Sequence, residues 1–220
     1  MKEKTTAIVL AAGQGKRMHS KIQKQFLEIQ GHPVLYSSLK CFQESPLIHD
    51  IIIVTGEDMI SYCKREIVER YQLTKVSAVI AGGKERYDSV YKGLLACEEC
   101  KYVFIHDGAR PYVNKESIDD LVECLKDYSA GLLMVPCKDT IKEVKDGIVV
   151  KTLKRETLMQ AQTPQVFKSE DIKIAYQKAK DEGFVATDDS QLFERYIDKE
   201  IKVVLGDYGN LKITTQEDLK

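Results

Sequence analysis

Several short clusters in this sequence have the residue types and spacing to handle phosphates. The most informative runs Leu10-Ala11-Ala12-Gly13-Gln14-Gly15-Lys16-Arg17-Met18. Small residues let backbone amides approach a ligand, and a following basic pair suits a polyphosphate. The spacing excludes two familiar phosphate loops. A dinucleotide fingerprint needs a third glycine or alanine where Met18 stands, and a Walker loop needs a Gly-Lys-Ser/Thr ending that is missing here. Between Glu3 and Glu28 every formally charged residue is positive: Lys4, Lys16, Arg17, Lys21 and Lys24. Any one of the lysines reads as a solvated loop residue. Arg17 and Lys24 are the two assigned to a ligand.

Further along, Gly82-Gly83 either turns the chain after a strand or lets a base approach closely. His106-Asp107 closes a strand, where Asp107 is a ligand candidate and His106 reads as a packed, hydrogen-bonded residue. Arg110-Pro111 suits a salt-bridged strand exit as well as a ligand contact. Cys97 and Cys100 have the spacing of a redox or zinc half-site, but no second pair exists and Cys41, Cys63, Cys124 and Cys137 stand singly. No protein-held metal is therefore expected, and all six cysteines read as reduced thiols of a cytoplasmic protein.

The elements that must position these residues alternate. Strand-like runs at Thr5 to Ala11, Asp50 to Thr55, Val76 to Ala81, Tyr102 to His106 and Ala130 to Pro136 are separated by helical periods. Those helices are expected over Pro33 to Glu44, Asp58 to Tyr71, Arg86 to Cys97 and Lys115 to Tyr128. Such a rhythm predicts an α/β fold, a mostly parallel sheet wound with helices on both faces, because parallel neighbours need crossover connections. Ligands should collect at the carboxyl ends of the strands. After Pro136 the pattern changes to two β-like stretches, Thr140 to Val144 and Ile148 to Leu153, around Asp146-Gly147, a strong hairpin signal. A lone hairpin is marginally stable, so a second subunit is one candidate for what it leans on. Helices over Ser169 to Glu182 and Asp189 to Tyr196 and a strand over Ile201 to Leu205 complete the chain.

The bulk numbers bound the rest. A length of 220 residues, 43% hydrophobic and 30% charged, fits one globular domain with a full core. With 33 basic against 34 acidic side chains the net charge is −1, so no global field exists to hold nucleic acid or an anionic membrane. The longest apolar runs, such as Ile51-Ile52-Ile53-Val54, fall far short of the roughly 20 residues of a spanning helix. No signal-like sequence precedes the first strand.

The ordered blocks together resemble a known family. Ala11-Ala12-Gly13-x-Gly15-x-Arg17-Met18 with Lys24-Gln25-Phe26 is similar to the signature of nucleoside-triphosphate sugar-phosphate transferases. Specifically, it resembles that of the 2-C-methyl-D-erythritol 4-phosphate cytidylyltransferases. Gly82-Gly83-x-x-Arg86-x-x-Ser89-Val90, His106-Asp107-Gly108-Ala109-Arg110-Pro111 and Lys138-Asp139-Thr140-Ile141-Lys142 continue the match. So do Gln162-Thr163-Pro164-Gln165-x-Phe167, Thr187-Asp188-Asp189 and Asn210-Leu211-Lys212-Ile213-Thr214.

The resemblance implies a Rossmann-like nucleotidyltransferase fold, one domain over residues 1–220, with residues 138–155 as a protruding β-arm that makes a homodimer. It implies that an acceptor phosphate oxygen attacks the α-phosphorus of CTP in line, and that pyrophosphate leaves as a magnesium complex. Mg2+ is then held mainly by the nucleotide phosphates. Arg17 and Lys24 would stabilise the transition state. Ala11, Ala12, Gly13, Gly15, Gly83 and Ser89 would hold the nucleotide, and Asp107, Thr140, Arg155, Thr163, Thr187 and Lys212 the polyol phosphate, with Thr140 and Arg155 serving the partner's site. Two positions depart from the pattern: Gln23 stands where a proline is frequent, and Lys84 where an acidic residue is. The rival reading is a D-ribitol-5-phosphate cytidylyltransferase. Against it, Gly108-Ala109 stands where those enzymes tend toward Ser-Val, and Thr187-Asp188-Asp189 fits the erythritol branch better. A non-catalytic nucleotide sensor would have no need for Arg17, Lys24, Arg155 and Lys212 together.

Overall fold

The computed structural model describes residues 4–13, 23–97 and 99–219. Its first strand, β1 (Thr5–Ala11), is buried on both faces, which is why it reads as an unbroken apolar run rather than an alternation. A two-residue ladder, β2 (Glu28–Ile29) with β3 (His32–Pro33), leads into α1 (Val34–Glu44), and β4 (Asp50–Thr55) follows. The single α-helix expected over residues 58–71 is instead composite. A 3-10 turn at Glu57–Met59 passes into α2 (Ile60–Tyr62) and then a π stretch at Cys63–Glu69. The wider pairing shows in the Arg70 N–H donating to the Arg65 carbonyl and Leu73 to Val68.

Next come β5 (Val76–Ala81), α3 (Arg86–Ala96), β6 (Tyr102–Asp107), α4 (Lys115–Cys124) and β7 (Ala130–Pro136). The hairpin β8 (Lys142–Lys145) with β9 (Ile148–Thr152) forms its own small sheet, every residue of it exposed. Asp146 and Gly147 both have positive φ, 51° and 79°, the geometry that makes Asp-Gly a tight hairpin turn. The chain returns through β10 (Met159–Lys168), α5 (Ser169–Glu182), α6 (Asp189–Tyr196) and β11 (Ile201–Leu205).

Seven strands form one sheet in the order β11-β7-β10-β6-β1-β4-β5. All run parallel except β10, which pairs antiparallel with both β6 and β7. The fold is thus the expected doubly wound α/β arrangement with one reversed strand. Alternation within the strands feeds two cores. Ala7, Val9, Ile51 and Ile53 face Leu35, Leu39, Phe42, Ile118 and Leu121 on the α1/α4 side. Ile8, Ile52 and Val54 face Val90, Leu94, Ile172, Leu192 and Phe193 on the α3/α5/α6 side. Among the described residues no helix is long and apolar enough to cross a membrane.

One expectation about the cysteines is corrected. Cys97 and Cys100 are joined as a disulfide, while Cys41, Cys63, Cys124 and Cys137 are free thiols. Helix α3 ends at Ala96, and the left-handed residue Glu99 (φ 48°) turns the chain between the two sulfurs.

Candidate active site

In the sheet, β1 lies between β4 and β6. From this junction the chain builds outward to β5 on one side and through β10 and β7 to β11 on the other. Crevices in open α/β sheets form at such switch points, outside the carboxyl ends of the strands. A cleft of about 190 Å³ opens there. It is lined by Ala11, Ala12 and Gly13 from the exit of β1, by Gly83 and Ser89 around the start of α3, and by Asp107, Lys24 and Lys212. Residues scattered over two hundred positions of sequence are thereby brought to one opening. Gly15 and Arg17 lie outside the described residues.

Local chemistry sets each wall. Gln25 is 2% exposed, and its amide Nε2 donates to the carbonyls of Ala11 (2.6 Å) and Gly13 (3.1 Å), clamping the backbone that leaves β1. On the opposite wall, Ser89 Oγ accepts from the Gly83 N–H (3.0 Å) and donates to the Glu85 carbonyl (3.1 Å). Glu85 and Asp88 form a reciprocal capping box at the head of α3. Gly83 is there for space: a Cβ would stand 2.1 Å from Asp88 Cβ and 3.2 Å from the Asp88 backbone. Gly83→Ala is therefore expected to displace the head of α3 and destabilise the protein by about 1–3 kcal/mol, read as a lower urea midpoint with unchanged slope. An unshifted midpoint would show that the wall yields freely.

The electrostatic centre is Asp107, at the end of β6. Its Oδ1 accepts from Arg86 Nε (3.1 Å) and its Oδ2 from Lys212 Nζ (2.6 Å). Burial by itself would raise this carboxyl, but Arg86 and Lys212 outweigh it and hold the group well below the usual carboxylate range. Arg86 in turn donates Nη1 and Nη2 to Asp189 Oδ1 and Oδ2 (3.0 and 2.7 Å). Burial opposes its charge, yet Asp189 and Asp107 together keep the guanidinium protonated well beyond its ordinary range. The C-terminal segment crosses the cleft beside this network: Lys24 Nζ donates to the Ile213 carbonyl (2.8 Å) and the Ile213 N–H to the Ala109 carbonyl (2.8 Å).

Behind the cleft, His106 is wholly buried. Its Nε2 faces the Arg110 carbonyl (3.2 Å) and its Nδ1 the Thr163 hydroxyl (3.1 Å). The Nε2–H tautomer satisfies both, and Thr163 Oγ1 also accepts the Asp107 N–H (3.0 Å). His106 is thus packed and hydrogen-bonded, as the sequence suggests. Thr163 is placed differently from the ligand contact expected of it: its hydroxyl braces the strand end that carries Asp107, 5% exposed and off the cleft lining. Three other expected acceptor contacts also stand away from this lining. Thr140 is exposed at the arm; Arg155 is exposed and donates to the Lys138 carbonyl (3.0 Å); Thr187 donates to Gln191 Oε1 (3.2 Å). Among the described residues, no group of three or more His, Cys, Asp or Glu is placed to hold a metal ion.

The sequence profile described as IspD, 2-C-methyl-D-erythritol 4-phosphate cytidylyltransferase, matches residues 5–220. The chain belongs to the IspD family. The 2-C-methyl-D-erythritol 4-phosphate cytidylyltransferase of Lachnospira eligens is 46% identical over 98% of this chain and 96% of its own length. That of Geotalea uraniireducens is 45% identical over 98% and 94%. Among solved structures, the 4-diphosphocytidyl-2C-methyl-D-erythritol synthase of Anaerococcus prevotii superimposes with a TM-score of 0.86 at 33% identity, covering 99% of this chain and 95% of that one. The Francisella tularensis IspD gives 0.82 at 33% identity, covering 99% and 97%.

Within this IspD chain, sequence reasoning left Arg86 and Asp189 without a role although both stand in the matching blocks. One signal was available. Arg86 is the first residue of α3, where a cation opposes the helix dipole. A basic residue in that position, three residues after Gly83, calls for carboxylate partners.

Proposed function

We infer that this chain transfers the cytidylyl group of CTP to 2-C-methyl-D-erythritol 4-phosphate, giving 4-diphosphocytidyl-2-C-methyl-D-erythritol and pyrophosphate for non-mevalonate isoprenoid precursor synthesis. The match over residues 5–220 carries this reading. The cleft at the β1/β6 junction supports it, because it combines small residues for a nucleotide with ammonium groups for phosphates.

The acceptor phosphate is already anionic, so the main demands on the protein are positioning and stabilising charge at the α-phosphoryl oxygens. Lys24 supplies a point charge from the cleft wall, and Arg17 supplies a planar fork able to hold two oxygens. The clamped backbone of Ala11, Ala12 and Gly13, together with Gly83 and Ser89, holds base and ribose. Asp107 and Lys212 face the acceptor, one toward hydroxyls and the other toward its phosphate. Mg2+ fits this donor set as a companion of the triphosphate, neutralising its oxygens, since Asp107 is already engaged by two cations. We assign residues 1–220 to a single cytoplasmic nucleotidyltransferase domain, and residues 138–155 to a dimerisation arm that carries Thr140 and Arg155 to the partner's site. The exposure of Val144, Ile148, Val149 and Val150 on that arm favours a covering surface.

The test is a pyrophosphate-release assay with CTP. Release is expected with the erythritol phosphate, and far less with D-ribitol 5-phosphate or with no acceptor. Faster turnover with the ribitol phosphate would transfer the chain to the rival activity, and release independent of any acceptor would sink the transferase reading.

A further inference from the structure

Asp189 is a carboxylate with 0% exposure, at the first position of α6 and behind the cleft. It is fully engaged. Arg86 occupies both its oxygens, and the Tyr176 hydroxyl donates to Oδ1. The helix dipole favours a negative charge at the head of α6 and opposes a positive one at the head of α3. Arg86 therefore stands where its charge is held by the two aspartates. Its planar fork is divided between them, Nε to Asp107 and both Nη groups to Asp189, so the plane of the guanidinium is fixed by the buried partner. Tyr176 is itself locked: it stacks on Tyr87, with ring centroids 4.9 Å apart, and its carbonyl accepts the Tyr87 hydroxyl (2.9 Å). Burial and the neighbouring carboxylate push the Tyr176 phenol well above its ordinary range, which keeps it a donor.

We propose that Asp189 is a positioning residue for the transfer reaction, acting through Arg86 to fix the direction in which the Asp107 carboxylate faces the cleft, with Tyr176 holding Asp189 in turn. The proposal rests on the reading above that Asp107 faces the acceptor. Without the Asp189 charge, the freed Nη groups turn toward Asp107 and compete with Lys212 for Oδ2. The alternating row Asp189, Arg86, Asp107, Lys212 then loses the spacing that leaves one edge of Asp107 open to the cleft.

A double-mutant cycle tests this. Asp189→Asn, Arg86→Gln and the double variant are assayed by pyrophosphate release with each substrate varied, alongside thermal melts. Each single change is expected to lower kcat/KM for the acceptor by on the order of 10- to 100-fold, with the KM for CTP moving far less. The double variant should be no worse than Arg86→Gln alone. Tyr176→Phe, which keeps the ion pair, should show a smaller loss in the same direction. Additive losses in the cycle, equal effects on both substrates, or wild-type kinetics in Tyr176→Phe would each overturn the proposal. If Asp189→Asn fails to fold, the Tyr176→Phe result decides. Asp107→Asn separates the two levels. Unchanged acceptor kinetics there removes the reading of Asp107 and the proposal together, whereas an impaired Asp107→Asn beside an additive cycle removes the proposal alone.

Discussion

Lys24→Ala is expected to lose turnover by on the order of 10²–10³ and to remain folded. The two halves of this expectation come from different atoms. Lys24 opens a single 3-10 turn whose other members, Gln25 and Phe26, are buried and set the course of the backbone. Gln25 keeps its bonds to the carbonyls of Ala11 and Gly13, and Phe26 its edge-on contact with Tyr62, whatever stands at position 24. The ammonium, by contrast, reaches the cleft mouth beside Ile213 and adds positive charge where the phosphates of the nucleotide must lie. Charge grows on the α-phosphoryl oxygens as the transition state forms, so the loss should fall mainly on kcat, with a modest change in the KM for CTP. Single-turnover pyrophosphate release and a thermal melt distinguish the possibilities. Wild-type turnover would remove Lys24 from the chemistry. A large fall in melting temperature would instead assign it to holding the C-terminal segment.

Much of the scaffold for this chemistry was legible because it obeys local rules. Asp50 to Thr55 and Val76 to Ala81 are short apolar runs, the first buried throughout and the second closing one edge of the sheet, and their observed bounds agree with the expected ones. Helices α5 and α6 likewise begin and end where their periods and caps place them. Asp188 accepts the Gln191 N–H, and Gly183 closes α5 with φ 67°.

Strand β10 escaped the sequence reading for a physical reason. Met159–Lys168 is rich in polar side chains and contains Pro164, which argues against a central strand. The structure accommodates the proline at a shift of register between Ala161 and Gln165. Two of its glutamines are buried with partners: Gln162 donates to the Asp207 carbonyl (2.8 Å), and Gln165 donates to Asp188 (2.9 Å) and accepts the Ser190 N–H (2.9 Å). Such bonds join distant segments and leave no periodic trace. The same holds within the site. Ala11 and Gly13 declare themselves by spacing beside a strand, whereas Arg86 and Asp189 meet across 103 positions of sequence and acquire meaning only when the sheet brings their helix heads together.

The other large effect concerns pH and resides in His106. Burial pushes this imidazole down to about 4, against some help to its charged form from Asp107, so the folded protein holds it neutral between the Thr163 hydroxyl and the Arg110 carbonyl. The unfolded chain, with an ordinary histidine near 6.5, binds a proton that the folded chain refuses. Stability therefore rises with pH through this interval. The contribution is complete above about 6.5 and is lost as pH falls toward 4, amounting to about 3 kcal/mol. The groups that face the ring are Phe42, edge-on at 5.1 Å, with Asp107 and Arg110. Asp107 titrates below this window because Arg86 and Lys212 outweigh its burial, so it does not blur the signal. His106→Gln, neutral throughout, is expected to be less stable than the natural protein at pH 7 and to lose less between pH 7 and 4, so that the two curves converge in acid. Urea unfolding at half-unit steps of pH measures this directly. Parallel curves across the interval would mean that His106 takes up its proton in the folded state, and the tautomer that links Thr163 to the Asp107 strand end would then have to be reassigned.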